Sequence, residues 1–134
     1  MFGRHVWDFA QHADALGRRM FELRQAAQHS VPPSAGYVAL LDEVLALDGT
    51  GPRLSALYDV ILPGAERRYQ SYAGLVDSIV DAPSLVIVER ILADLRRQRS
   101  EAERLREELG LLRPAADPLL VREGALELLV AAGA

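Results

Sequence analysis

His5, Asp8 and His12 open the chain at spacings of three and four residues, so that the two histidines stand two helical turns apart. On a helix these side chains share one edge of the apolar stripe. Two imidazoles beside a carboxylate can hold a divalent metal or pass a proton. The plainer reading has both rings covering the rim of the core while Asp8 accepts a hydrogen bond. A second edge resembles the first. Asp59 and Glu66 are seven residues apart, and Tyr69 and Tyr72 follow on or near the apolar face. If the two edges met inside a bundle, two histidines, three carboxylates and a phenol would converge, which is the composition of a metal or acid–base site. Otherwise Asp59 and Glu66 are solvated flank residues paired with Arg67, Arg68 or their neighbours. The residues expected to do chemistry are therefore His5, Asp8, His12 and Glu66. Those expected to line a ligand are Trp7, Tyr58, Asp59, Tyr69 and Tyr72. The chemistry requires an imidazole nitrogen within direct or one-water reach of Asp59 or Glu66, and a partly apolar space beside it.

More specific signals are missing. No Asp or Glu stands three residues before a His, so the Glu-x-x-His unit of di-iron bundles does not occur. Gly-rich phosphate loops, nucleophile elbows and the His-Glu-x-x-His zinc unit are absent too. No cofactor is assigned, and a metal has no such motif to support it. All fifteen basic residues are Arg, with no Lys and no Cys, which removes lysine Schiff-base and thiolate chemistry. The net charge of −4 argues against a general nucleic-acid binder. No apolar run approaches the ~20 residues of a membrane span, and no signal-peptide pattern is present. A cytoplasmic protein with neither nucleic-acid nor membrane partner is expected.

The elements that must position these residues read as helices throughout, with no strand-like alternation. The spacing of Val6, Phe9, Ala10, Ala13, Leu16, Met20 and Leu23 predicts a first helix over 4–28 with that stripe inward. Pro32 and Pro33 stop it, and Ser34 can cap a second helix to about residue 47, with Tyr37, Val38, Leu41, Val44 and Leu45 inward. A third helix over 53–78 carries Pro63, where a kink is expected because the carbonyl of Asp59 loses its donor. Asp81 can cap a fourth helix over 83–109, with Leu85, Val88, Leu92 and Leu95 in heptad rhythm. Its second half is dense in Arg and Glu; Arg97–Glu101 and Arg99–Glu103 can pair at four residues. That half either projects into solvent, covers another element with arginine stems, or forms a coiled-coil adaptor surface. Gly110 ends it. Residues 1–112 are expected to form the bundle, with 113–134 a linker and last helix packing on it or on a second subunit. The core expected is Val6, Ala13, Met20, Leu57, Ile61, Val88, Leu92 and Leu95. The fold class is an all-α, up-and-down bundle of four to five helices.

Several segments in order carry a resemblance: His5-Val-Trp-Asp-Phe-Ala-Gln-His-Ala13, Leu57-Tyr-Asp-Val-Ile-Leu-Pro63, Val80-Asp-Ala-Pro-Ser-Leu85 and Ile91-Leu-Ala-Asp-Leu-Arg-Arg-Gln98. Over about residues 4–100 the chain resembles a group of poorly characterised bacterial ferritin-like proteins. Those relatives carry His-x-Trp-x-x-x-x-His-Ala in one helix and an Asp-x-Pro-Thr step into an acidic one. The chain departs from them at Arg96 and Arg97, where relatives have glutamates, and in lacking a helix before His5. The resemblance implies a ferritin-like bundle whose di-iron site is eroded. The last helix, or a second copy in a homodimer, is expected to complete it. The function expected is the binding of a small molecule or protein partner. The alternatives are an enzyme using interior His and carboxylate groups, and the adaptor.

Overall fold

The structure, a computed structural model, describes residues 1–24, 34–111, 119 and 122–124. The described residues are mainly helical and contain no strand. Helix α1 spans Phe2–Glu22 and α2 spans Ala35–Ala46. Three segments then run on as one rod: α3 (Thr50–Ser55), a π-helical turn (Ala56–Ile61) and α4 (Leu62–Leu75). Helix α5, Ala82–Glu108, is the longest. It packs against α1 and also against α4 and the π turn. The expected linker and last helix fall largely outside the described residues; only Leu119 and residues 122–124 of that region are described.

The local signals act much as the sequence implies, with two differences. Ser34 caps α2 by accepting from the Tyr37 N–H, and Gly110, at φ +63°, terminates α5 in the left-handed region that favours glycine. Asp81 precedes α5 but makes no side-chain cap; its carbonyl accepts from the Ser84 and Leu85 N–H groups instead. At Pro63 the expected loss of a donor is absorbed without leaving the helix. The Leu62 N–H bonds the carbonyl of Leu57, a five-residue step, so that the ladder widens into a π turn ahead of the proline.

The rod is buried on two sides. Leu54, Tyr58 and Leu62 pack with Ile91, Leu95 and Ala102 of α5, and Phe9 and Leu16 of α1 lie against this cluster. Ala56 and Val60 pack on the other side with Leu40 of α2 and Leu119. Val88, Leu92 and Leu95 are buried as their rhythm implies, while Leu57 and Ile61 are half-buried. Three expectations fail. Helix α1 is rotated toward its polar edge: Val6 is 67% exposed, Ala13 is exposed and Met20 is only half-buried, whereas His5, Asp8 and His12 are buried and only Phe9 and Leu16 of the stripe reach the core. In α2, Val38 and Leu45 face out and Leu40 faces in. Tyr72, expected on or near the apolar face, is 41% exposed near the end of α4. The reason for the turn of α1 lies in α5, whose facing positions are charged and select polar partners.

Chemical denaturation should separate the two faces. Leu92→Ala is expected to cost about 2–5 kcal/mol, the usual loss for truncating a buried leucine. Val6→Ala should stay within about 0.5 kcal/mol; equal losses would mean that α1 presents its aliphatic stripe to the core.

Candidate functional site

The polar edge of α1 meets the Arg/Glu half of α5. His5 is 2% exposed, and its Nε2 lies 2.9 Å from Glu101 Oε2 while its Nδ1 lies 2.6 Å from the Tyr58 hydroxyl. An ionised carboxylate only accepts, so in a neutral imidazole the proton sits on Nε2 and Nδ1 accepts from Tyr58 O–H. Tyr58 comes from the π turn. One helical turn along, Asp8 Oδ2 accepts from Arg97 Nη2 at 2.7 Å and from Gln98 Nε2 at 3.1 Å. A further turn brings His12 Nε2 within 2.9 Å of Asp94 Oδ2. Arg97 closes the set, donating also to Asp94 Oδ1 at 2.9 Å and to Glu101 Oε1 at 3.1 Å.

The electrostatics follow from this one cation. Burial raises the carboxyl of Asp8, but hydrogen bonds from Arg97 and Gln98 outweigh it and leave its pKa below the ordinary value. Asp94 behaves likewise, with burial opposed by His12 and Arg97. The Glu101 carboxyl is lowered first by its bond from His5 and then by Arg97 against burial. Tyr58 goes the other way: burial, with Glu101 nearby, pushes it up to about 12, so it stays a phenol.

The second polar edge does not join the first. Glu66 is buried but bonded to Arg96 Nε at 3.0 Å and Arg99 Nη1 at 2.8 Å, and Asp59 to Arg106 Nη2 at 2.9 Å. The expected meeting of His5 and His12 with Asp59 and Glu66 is therefore corrected. The histidines meet carboxylates of another helix, but these are Asp94 and Glu101, because α1 packs on α5 and arginines of α5 claim the carboxylates of the rod. Sequence reasoning paired Arg97 with Glu101, as the structure has them, but placed none of Asp94, Arg97, Gln98 and Glu101 in the site. The signal was there: Gln98, Ala102 and Arg106, all buried, stand at four-residue steps within a charged run.

A ferritin-like di-iron centre needs carboxylates and imidazoles free to converge on metal. Here Arg97 and Gln98 occupy Asp8, and among the described residues no group of three or more His, Cys, Asp or Glu side chains could hold a metal ion. The residues present do not fit that centre.

Of the expected ligand-lining residues, Trp7 is 57% exposed on the outer face of α1. Tyr58 lines a cavity of about 340 Å³ near Phe2 and Arg53. Tyr69 and Tyr72 line a larger one, about 550 Å³, between α1, α4 and the start of α5. Its polar groups are Arg19, Arg68, Ser84 and the two phenols; the rest of its wall includes Leu16, Met20, Ala65 and Ile87. Arg68 on this wall is itself held, by Glu123 at 2.6 Å and the Tyr37 hydroxyl at 3.0 Å. Glu123 is fully buried and takes a second bond from Arg67 at 2.6 Å. Gly64 makes room for it, because a Cβ there would stand 1.7 Å from Glu123 Oε1. Glycine inside a helix costs about 1 kcal/mol against alanine, and the seated carboxylate explains its presence.

Removing Arg97 should leave three carboxylates facing one another. Arg97→Ala is expected to cost about 3 kcal/mol. The lowered carboxyls stabilise the wild type above the unfolded values of 3.8 and 4.5, and this contribution is lost as pH falls through the lower native values. Acid unfolding followed by circular dichroism should therefore be steep below about pH 4 in the wild type and shallower in Arg97→Ala. Superimposable acid limbs would show that Arg97 does not hold the network.

No protein-family model, curated protein or solved structure matches the chain. What the site does has to be read from its own atoms.

Proposed function

We propose that this chain is a ferritin-like helical-bundle protein, without an ordinary di-iron site, that binds a small molecule between α1, α4 and α5. The observation that carries the reading is the cavity of about 550 Å³, mostly apolar, with a few converging polar groups. That is the size and make-up of a small-molecule site. The ionic network centred on Arg97 supports a structural role for the histidine edge. Its imidazoles and carboxylates bond one another and the guanidinium, which ties α1 to α5 beside the cavity.

A second reading keeps an enzyme in view, because the chain Glu101–His5–Tyr58 ends on a phenol that borders the smaller cavity. Against it, a phenol raised to about 12 is a poor proton donor or base near neutrality. The adaptor reading has less in its support, since Gln98, Ala102 and Arg106 of the charged half are buried. For a protein partner, a second copy is favoured by the exposed Phe2, Val6 and Trp7 on the outer face of α1. Sedimentation equilibrium at tens of micromolar should give a homodimer, and Val6→Glu a monomer; a strictly monomeric wild type would overturn this.

The binding site itself is tested by filling it. A naphthylamine dye should brighten on the wild-type protein, and Ala65→Trp, placing a large ring in the cavity, should abolish the signal while the helical circular dichroism persists. Undiminished dye binding in a folded Ala65→Trp would refute this location.

A further inference from the structure

One cation on the wall of the larger cavity has unfinished bonding. Arg19 donates through Nε to Ser84 Oγ at 2.8 Å and through Nη1 to Glu22 Oε2 at 3.1 Å. Among the described residues its Nη2 has no acceptor. The Arg19 side chain is only 15% exposed, and its guanidinium is fixed by a hydroxyl that cannot neutralise it. Glu22, its one carboxylate, is 61% exposed, and such a surface pair is worth little. Arg68 differs, because it is held by a fully buried carboxylate, Glu123, shared with the outer Arg67, and by the Tyr37 hydroxyl. The wall thus presents one poorly compensated positive charge beside apolar surface.

We infer that this cavity takes a small monocarboxylic acid with an apolar tail, its carboxylate bonded to Arg19 and its tail lying against Leu16, Met20, Ile87 and Val88. The inference rests on the cavity being a ligand site, as proposed above. A carboxylate completes a guanidinium through a charge-assisted bond and matches its planar donors. One negative charge balances one available positive charge. A phosphate monoester, carrying up to about two, would need Arg68 as well, which is committed to Glu123. Tyr69, raised by burial though Arg68 lowers it, remains a phenol and adds a neutral donor to the same wall. An alcohol with the same tail gains the apolar burial but leaves Arg19 without a counter-charge. Ser84 is a positioning residue that holds the guanidinium toward the cavity.

Calorimetric titration of the full chain near neutral pH with octanoate, octanol and octyl phosphate tests this, in the wild type and in Arg19→Met. Octanoate should bind the wild type about tenfold tighter than octanol, the difference a charge-assisted bond makes. Arg19→Met should erase that advantage, so that octanoate and octanol bind the variant alike; an advantage for octanoate that persists in a folded Arg19→Met overturns the assignment to Arg19. Equal binding of octanoate and octanol to the wild type overturns the carboxylate assignment while leaving the cavity a ligand site, and so does tighter binding of octyl phosphate. Failure of all three to bind overturns the ligand site and the assignment together. Should Arg19→Met lose its helical circular dichroism, the wild-type comparison of the three probes decides alone.

Discussion

Asp8 of α1 and Asp94 and Glu101 of α5 all approach one guanidinium, and the way those two helices meet depends on it. Without Arg97 the three carboxylates would repel one another in a space that water reaches only partly, and they would have to protonate or move apart. With Arg97 present, each carboxylate keeps its charge and has a direction in which to point. His5 and His12 then find acceptors already oriented, and Tyr58 follows from His5. The polar edge of α1 goes in because α5 offers it partners, and Val6 and Ala13 go out as the consequence while Phe9 and Leu16 stay against the core.

The same logic extends along α5. Arg96 and Arg99 bind Glu66, Arg106 binds Asp59, and Arg97 binds α1, so successive arginines of one helix reach carboxylates on two different neighbours. These pairs are part-buried, with Arg96 and Arg99 largely exposed, and contribute modestly to net stability because screening and desolvation offset much of the attraction. They discriminate strongly among arrangements, since a shifted helix would strand several charges at once. Apolar packing of Leu54, Leu62, Ile91 and Leu95 supplies the driving force, and the arginines specify the register.

Much of the helical content was legible in the sequence, because caps and breakers are local signals. Ser34 through its hydroxyl, and Gly49 and Gly110 through left-handed backbone, act locally and need no tertiary context, although the helix expected from residue 53 already begins at Thr50. The face of α1 was not legible. Its apolar stripe and its His-Asp-His edge adjoin, and which one turns inward depends on a helix some ninety residues away in sequence. Hydrophobic periodicity assumes an apolar neighbour, and here the neighbour is a row of arginines and acids. The candidate site was half legible for the same reason. His5, Asp8 and His12 do share one buried edge. Their partners lie in the part of α5 whose composition reads as solvated surface, and only the four-residue spacing of Gln98, Ala102 and Arg106 distinguishes it.

The π turn between Ala56 and Ile61 makes chain length part of the design. Such a turn holds one residue more than the α spacing accommodates, and one residue corresponds to a rotation of about 100°. The rod therefore has two angular frames. One, upstream, sets Leu54 and Tyr58 toward α5 and α1; the other, downstream, presents Gly64 to Glu123 and Tyr69 to the larger cavity. A single-codon deletion in this stretch would remove the extra residue and change composition hardly at all, while Pro63 would still leave one carbonyl without its donor. It would nevertheless swing one frame against the other and part the phenol from its imidazole. In this segment the number of residues carries information that their identities do not.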